Sequence, residues 1–485
     1  MSARHQGDTG VASLGLSTVL RGLGCDLSMG PEQDIAFGDV VIDSRQATRD
    51  SLFVALRGEH RDGHDFVADA FGRGATGALV ERPIAGCNAV SAKGGVSPEG
   101  FRAPVCIVVE DALAALQRVA AHWRRLHPQC KVVGITGSVG KTTAKELVTA
   151  VLSRRYETLK SEGNLNNELG LPLTLLKLRP GIERAVLEMA MYDLGEIALL
   201  AEIAQPALGV VTNVGPTHLE RLGTMERIAQ AKSELVRALP ADGVAILNGD
   251  DPRVRAMREV TPAQKVLTYG LGSDSDVRAD HATGCGFGGV EFNLSYRGES
   301  LPVRSSLLGL HSIHTALAAA AVGIAEDLTW SEIAEGLADP EARIRLRRMP
   351  GRTGSTILDD TYNASPASTQ AALSFLQGLE GRKIAVLGDM LELGSFEAEG
   401  HRQVGGAAAD SVQVLVTVGT LGRLIGEAAL GSGMDPGAVR MCEDNQTATA
   451  HVRSLLRSGD VVLVKGSRGM AMEEIVAQLV VREEQ

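Results

Sequence analysis

Short apolar runs of strand length mark the first part of the chain, at Val40–Ile42, Leu52–Leu56 and Val105–Val109, each bounded by turn-forming residues. One longer segment, Ala112 to Leu126, keeps its apolar residues on a helical spacing and predicts a helix. Between Pro83 and Pro104 the pattern lapses into Gly, Ala and Ser with almost no periodicity, which predicts an exposed loop. His127-Pro128-Gln129 reads as a linker, and the texture changes beyond it. From Lys131 to about Pro340, runs such as Val132–Ile135, Arg184–Leu187 and Leu208–Thr212 alternate with helical segments, the pattern of a parallel α/β sheet. From near Glu341 that texture returns, with Thr356–Leu358, Lys383–Leu387, Val414–Val418 and Val461–Val464 predicted as buried parallel strands. No short-period repeat is visible.

At 485 residues, and with domains usually holding about 100 to 200, the chain divides into three: 1–128, 129–340 and 341–485. The predicted class is α/β, with an N-terminal α/β module, a nucleotide-type central domain on a parallel sheet and a Rossmann-like C-terminal domain. Hydrophobic residues at 44% and charged ones at 22% exclude a disordered, collagenous or disulfide-scaffold chain. Aromatics are only 3%, whereas the 56 glycines are well above the usual share of about 7%. A net charge of -11 gives no global attraction for nucleic acid or anionic lipid, so an anionic substrate needs a local basic pocket. The longest soft apolar run, Thr315 to Ala325, falls far short of the roughly 20 residues a bilayer needs, and the N-terminus lacks the apolar core of a signal peptide. A soluble, cytoplasmic, monomeric protein is expected, without nucleic-acid binding or membrane insertion. The six cysteines show no CxxC spacing, which reads as reduced structural thiols and no zinc site.

The strongest chemical signal is Val133-Gly-Ile-Thr-Gly-Ser-Val-Gly-Lys-Thr-Thr143, a strand running into a glycine loop and then a helix starting near Lys141. The backbone N–H groups of such a loop wrap phosphate oxygens, the lysine adds a point charge, and the following hydroxyl binds Mg2+. The spacing departs from the strict phosphate-loop pattern, because Ile135 stands five before Gly140 and the available glycines are Gly134 and Gly137. A plain glycine-rich turn with a solvent-facing lysine is the alternative. Strand, loop, lysine, paired threonines and helix in this order favour ATP.

Two other strand ends carry polar residues that a simple core does not require: Glu188 follows Arg184–Leu187, and His218 lies in a Gly/Pro turn after Leu208–Thr212. Ligands of open parallel sheets bind outside the carboxyl ends of strands, so both could converge on the phosphate mouth and join Thr142 around Mg2+. Taken singly, a strand-end carboxylate is more often a helix cap and a lone histidine more often structural. Lys232 sits in a helical run, Met225 to Leu239, and reads as a solvated surface lysine.

Further strings complete the picture: Asp43-Ser-Arg45, Leu52-Phe-Val-Ala-Leu-Arg-Gly58 and Asp62-Gly-His-Asp-Phe66; Gly163-Asn-Leu-Asn-Asn-Glu-Leu-Gly-Leu-Pro172; Ala231-Lys-Ser-Glu234; Asp359-Asp-Thr-Tyr-Asn-Ala-Ser-Pro366; Leu387-Gly-Asp-Met-Leu-Glu-Leu-Gly394; and Val464-Lys-Gly-Ser-Arg468. With the phosphate loop and the Glu188 and His218 segments, they resemble the Mur ligase family of peptidoglycan synthesis, in its MurF branch, over nearly the whole chain. The resemblance implies a uridine-nucleotide domain, a central ATPase domain and a ligase domain. It implies ATP and Mg2+ as cofactors, with UDP-MurNAc-tripeptide and D-Ala-D-Ala as the partners joined through an acyl phosphate. Catalytic residues implied are Lys141, Glu188, His218, Lys232 and Arg345, with Thr142, Glu188, His218 and a carbamylated Lys232 around the metal. Gly137, Ser138, Gly140, Lys141, Thr142, Thr143, His311, Arg345, Asp360, Tyr362 and Asn363 are implied to hold the nucleotide. Asp43, Ser44, Arg45, Asn164, Asn166, Asn167, Lys465, Ser467 and Arg468 are implied to hold the other substrates. A small basic cleft containing Lys141, Arg345, Lys465 and Arg468 is expected inside the acidic exterior.

The chain departs from the family pattern where Ser312 and Thr315 stand in place of asparagine, and Ala190 and Ile344 in place of glycine. Three other readings compete: a MurE-type ligase adding one amino acid, a folylpolyglutamate synthase-like ligase, and a catalytically silent nucleotide-binding relative. No Asp-Asn-Pro-Arg stretch, by which MurE enzymes hold diaminopimelate, occurs in the last domain.

Overall fold

A run that is apolar at every position buries both faces of its strand, so it needs helices on either side. The computed structural model of the chain describes residues 14–25, 34–92, 102–342 and 346–481, and it builds that arrangement three times. The first sheet orders its strands Val40–Val41, Leu52–Val54, Gly77–Val80, Val105–Val108, Asn88–Ser91, all parallel. The central sheet is parallel through Thr158–Lys160, Arg184–Glu188, Lys131–Thr136, Leu208–Val211, Val244–Asn248 and Lys265–Gly270. The third sheet is parallel through Thr356–Asp359, Val461–Lys465, Lys383–Gly388, Val414–Val418 and Val439–Cys442, with Arg347–Pro350 antiparallel at one edge.

Two expectations are corrected. The Pro83–Pro104 segment is not all loop, because Asn88–Ser91 forms an edge strand against Val105–Val108 with Val90 buried. Four residues with one inward apolar side chain are too few to leave a period in the sequence. The central sheet is also not parallel throughout. Val277–Gly284, Val290–Tyr296 and Glu299–Ser305 extend it as an antiparallel meander. Arg297 and Gly298 turn the last hairpin, both at positive φ (50° and 86°), the geometry whose twist suits a two-residue connection. The meander reaches the third unit: the rings of Phe287 and Phe375 meet edge-on at 6.0 Å, and the Arg348 guanidinium lies 4.3 Å over Phe287.

Helix Ala112–Arg125 begins at Asp111, whose carboxylate accepts from the Ala114 amide at 2.8 Å. Its far end ties the first unit to the second. Trp123 Nε1 donates to the Leu178 carbonyl at 3.1 Å, and Arg124 donates to the carbonyls of Ala204 and His127 at 2.9 and 2.8 Å. The residues around Pro128 are thus held on a core that Leu116, Val119 and Trp123 share with Leu171 and Leu175.

Helix Met225–Arg237 lies close on the central sheet because the strands beneath it carry glycine. A Cβ on Gly134 would stand 2.8 Å from Leu235 Cδ1, and one on Gly209 would stand 3.2 Å from Leu239 Cδ1. Lys232 sits three residues before Leu235, on the same helix face, and is carried inward with it. Gly134 therefore serves packing. Gly134→Val is expected to destabilise the protein by about 1–3 kcal/mol through overpacking, read as a lower urea midpoint. Gly134→Ala should fall well below that, since the atoms it meets end flexible side chains, and equal stability of both variants would contradict the packing role.

Candidate active site

Strand register sets the site. In the parallel central sheet Glu188 is level with Ile135 and Val211 with Thr136, so the polar ends of three adjacent strands open at one edge. Thr136 Oγ1 ties the phosphate strand to its neighbour by donating to the Met189 carbonyl at 2.8 Å. Gly137 follows at φ 149°, and a Cβ there would stand 1.9 Å from Thr212 Oγ1, so only glycine fits. Asn213 braces the loop: its carbonyl accepts from the Ser138 amide at 3.0 Å, its Oδ1 from the Val139 amide at 2.9 Å, and its Nδ2 donates to the Val139 carbonyl at 2.8 Å. The Ser138 hydroxyl is hydrogen-bonded to the Gly215 backbone. Ser138 thus shapes the cradle with both its amide and its hydroxyl.

Gly140, at φ 89°, caps helix Lys141–Leu152. The helix directs its positive dipole end, with the first-turn residues Lys141, Thr142 and Thr143, into the mouth. The Lys141 ammonium folds over the loop and donates to the Gly137 carbonyl at 2.8 Å.

Around this mouth lie two buried groups, Glu188 and Lys232, and the half-buried His218. Glu188 accepts from Asn166 Nδ2 at 2.9 Å through Oε1, while its Oε2 is buried without a hydrogen-bond partner among the described residues. Lys232 is 2% exposed, and its amine has no hydrogen-bond or ion-pair partner among the described residues. Burial, reinforced by the Lys141 charge, drives its pKa well below that of an ordinary lysine. The surface reading of Lys232 is corrected. His218 is pushed down to about 4 by burial and by the Lys141 and Lys232 charges, so its imidazole is neutral near pH 7. Its Nδ1 lies 3.0 Å from Glu392 Oε2, and the Tyr192 ring meets it edge-on at 5.0 Å.

An orphaned carboxylate oxygen, a neutral imidazole and a buried amine whose pKa is driven well down form a set that a divalent cation and a carbamate would satisfy. Among the described residues no three His, Cys, Asp or Glu side chains cluster as a ready-made metal site. Thr142 and phosphate oxygens would have to complete the shell.

On the third sheet the expected basic cleft is corrected. Lys465 is 3% exposed and bound to Asp360 Oδ2 at 2.6 Å and to the Asn363 carbonyl at 2.9 Å, so its charge is spent inside the protein. Arg345 and Ile344 lie outside the described residues. Ser467 accepts from the Leu391 amide at 2.9 Å. A cavity of about 310 Å³ opens among Arg347, Asp359, Asp360, Tyr362, Arg468 and Glu473, with the Arg468 guanidinium 5.9 Å from the Tyr362 ring. His311 reaches this region from the central unit, where it feels the charges of Asp360 and Lys465. Asp360→Ala would strand Lys465 as an unpaired buried cation, a loss of about 3–5 kcal/mol. Adding Lys465→Met should recover most of the lost urea midpoint, and failure of that recovery would contradict the pairing.

The first unit and the asparagine string complete the inventory. Asp43 caps the turn Ser44–Gln46, and Arg45 Nη2 lies 2.6 Å from its Oδ2; the hydrogen bonds from Arg45 hold Asp43 down to about 2. Ser44 is buried, whereas Arg45 is exposed. Asn167 Oδ1 accepts from the Gly170 amide at 2.9 Å and starts helix Gly170–Leu175, and Asn164 is exposed. Asn166 orients Glu188.

Family descriptions match along most of the chain: "Mur ligase family, catalytic domain" at residues 38–124, "Mur ligase middle domain" at 135–323 and "Mur ligase, glutamate ligase domain" at 344–468. The chain belongs to the Mur ligase family. Among Mur ligases it is 36% identical to the UDP-N-acetylmuramoyl-tripeptide–D-alanyl-D-alanine ligase of Bacillus subtilis, over 93% of this chain and 94% of that one. The crystal structure of MurF from Acinetobacter baumannii superimposes with a TM-score of 0.83 at 31% identity, covering 97% of this chain and 99% of that one. MurF from Thermotoga maritima, solved in complex with ADP, matches at a TM-score of 0.75 and 28% identity, over 93% and 98% of the two chains.

Three of the positions where this Mur ligase departs from the family pattern lie among the described residues. Ser312 is buried and donates to the Gly309 carbonyl at 2.7 Å, and the Ala190 amide donates to the Asn166 carbonyl at 2.9 Å. Thr315 Oγ1 would lie 3.9 Å from a Cβ on Gly140, which places it beside the phosphate loop. Sequence reasoning missed Asn213, although it directly follows an apolar strand and Thr212. It also passed over Arg347, Tyr192 and Glu392, whose partners lie elsewhere in the chain.

Proposed function

We propose that the chain joins D-alanyl-D-alanine to UDP-N-acetylmuramoyl-tripeptide, with ATP cleaved to ADP and phosphate, in the synthesis of peptidoglycan precursor. The observation that carries the reading is the buried Lys232, its pKa driven well below an ordinary lysine's, beside Lys141 and His218 at a phosphate loop, in a chain matching ligases of that activity over nearly its whole length.

The terminal carboxylate of the tripeptide attacks the γ-phosphorus of ATP in line, forming an acyl phosphate and releasing ADP. The amine of D-Ala-D-Ala then attacks the acyl carbon, the C–O bond to phosphate breaks, and the amine proton is lost. In the first step the chain acts by position and charge. Lys141 exchanges the Gly137 carbonyl for phosphate oxygen, and the loop and the helix start at Lys141–Thr143 cradle the phosphates. Lys232, whose burial favours the neutral form of its amine, adds CO2 in that form and releases a proton, so that a buried base becomes a carboxylate-like ligand. Thr142, Glu188, His218 and a carbamylated Lys232 would hold Mg2+, which would supply positive charge against the phosphates when bound. Asn166 keeps Glu188 in place.

In this account residues 1–128 capture the uridine nucleotide, with Asp43, Ser44 and Arg45 at the strand end. Residues 129–340 carry the ATP chemistry. Residues 341–485 close over it, bringing Arg345 to the γ-phosphate and Asp360, Tyr362, Asn363 and Arg468 to the nucleotide and dipeptide side. Closure keeps water from the acyl phosphate. ATP and a UDP-linked substrate point to a cytoplasmic enzyme, and among the described residues no helix is long and apolar enough to cross a membrane.

The test is phosphate release by the purified protein with each substrate omitted in turn. Release that requires both UDP-MurNAc-tripeptide and D-Ala-D-Ala is expected. Equal release with a single free amino acid in place of the dipeptide would assign MurE-type chemistry, and binding without turnover would assign a silent relative.

A further inference from the structure

Helix Lys141–Leu152 buries Leu147, Val148 and Val151 against the sheet, as a packing face should, but it buries Lys145 and Glu146 as well, at 1% and 6% exposure. Adjacent residues on a helix do not ordinarily face each other, yet the Lys145 amine lies 3.2 Å from Glu146 Oε1, and Glu146 Oε2 binds the Lys160 amine. Stability does not explain such a cluster, because apolar residues of similar volume often match or better a buried ion pair. The proposed reaction gives Lys145 and Glu146 no part.

What the cluster holds is the root of a loop. Lys160 ends strand Thr158–Lys160, three residues long and at the edge of the central sheet. An edge strand leaves one side of its backbone unpaired, so few ladder bonds hold the chain beyond it. The next residue, Ser161, is 1% exposed, and the Lys145 amine donates to its carbonyl at 2.6 Å. Ser161 passes the restraint to the neighbouring strand: its amide donates to the Val186 carbonyl at 3.1 Å, and its hydroxyl accepts from the Glu188 amide at 3.1 Å. The loop then returns to the same place, where Asn166 Nδ2 donates to Glu188 Oε1 and the Asn166 carbonyl accepts from the Ala190 amide. One lysine, a turn beyond Lys141 on the same helix, thus anchors the loop root and, through Ser161, the backbone that carries Glu188.

We propose that Lys145 is a positioning residue for the ligation, locking Ser161, the Glu188 backbone and the asparagine loop to the phosphate helix. The helix start and the loop then keep one mutual geometry, so the phosphate cradle and the groups on Glu188 and Asn166 are presented together. The inference rests on the proposed function for its kinetic arm alone. Without the Lys145 amine, the buried Ser161 carbonyl loses this donor and the loop root shifts to find another.

The test uses the full-length chain with Lys145→Met, which keeps the length and loses the donor, Ser161→Ala, which keeps the carbonyl and loses the hydroxyl, and the double variant. Glu326→Gln is the control. Arg184 Nε donates to buried Glu326 at 2.6 Å at the opposite end of strand Arg184–Glu188, so this change lowers the urea midpoint away from the loop. Hydrogen exchange read by mass spectrometry on the ligand-free proteins follows residues 161–167 and 188–190. Exchange there should quicken about 3- to 10-fold in Lys145→Met, the scale of one lost hydrogen bond, and stay at the wild-type rate in the control. In turnover, Lys145→Met should lower kcat by about 10- to 100-fold, as loss of a partner behind the reacting groups does, with KM for ATP unchanged and the control at wild-type kcat. The double variant should lose no more than Lys145→Met alone, because both changes act through Ser161. Unaltered exchange or kcat in Lys145→Met, losses that multiply in the double variant, or an equal loss of kcat in the control overturns the proposal. If Lys145→Met does not fold, Ser161→Ala decides: its kcat should fall and its Glu188 amide exchange faster, and no change in either overturns the proposal. Should wild type itself fail to turn over, the ligase reading falls while the exchange arm still judges Lys145.

Discussion

Lys232→Ala is expected to lower kcat by about 10²–10³-fold or more, the scale set by removing one preorganised electrostatic partner from a buried site. An ordinary lysine in a helix is protonated and solvated, and its loss is nearly silent. Lys232 differs on both counts, being 2% exposed and driven toward the neutral amine by burial and by Lys141. A neutral amine is the form that adds CO2, so activity should fall when bicarbonate and CO2 are stripped from the buffer and return when bicarbonate is added. The variant should remain folded, because alanine removes an unpaired polar group from the interior. Lys232→Met, which keeps most of the volume, should lose activity as fully. Full activity in either variant, or indifference to bicarbonate, would contradict the carbamate role.

Lys141→Ala is expected to lower kcat by a comparable factor, about 10²–10³-fold, because the point charge over the phosphates is lost where charge develops. Its second effect separates it from a simple loss of ATP affinity. Lys141 is one of the charges that depress both His218 and Lys232. Removing a nearby cation favours the protonated forms, so both pKa values should rise, His218 from about 4 toward its ordinary range. Histidine NMR titration of the variant checks the direction, and a His218 titration identical to that of wild type would contradict the shared electrostatic environment.

What the sequence made legible was what it wrote locally. Strand, glycine loop, lysine and helix are consecutive, so the phosphate cradle could be read from Val133 to Thr143 in one stretch. The parallel strands were readable because residues such as Val132–Ile135 and Val461–Val464 are apolar on both faces. Lys232 was not readable in this way. Its burial depends on Gly134 and Gly209, which lie on strands remote in sequence and whose missing side chains let the helix settle. Lys465 looked like a free cation because Asp360, its partner at 2.6 Å, stands 105 positions away. The brace from Asn213 to Val139 and the docking of Glu392 on His218 are likewise contacts between distant segments. Resemblance to a family supplied Lys232 from outside physics; the structure shows that it is buried, with its pKa driven well down.

The central claim is that this site activates a peptide carboxylate by phosphoryl transfer and hands it to D-Ala-D-Ala. Oxygen-18 placed in the terminal carboxylate of UDP-MurNAc-tripeptide tests it most directly, with mass spectrometry of the released phosphate and the amide product in the presence of ATP and D-Ala-D-Ala. Attack of the carboxylate on the γ-phosphorus predicts that one labelled oxygen leaves with phosphate for each amide bond formed. Unlabelled phosphate accompanying the amide, or phosphate released without D-Ala-D-Ala entering product, would contradict the account.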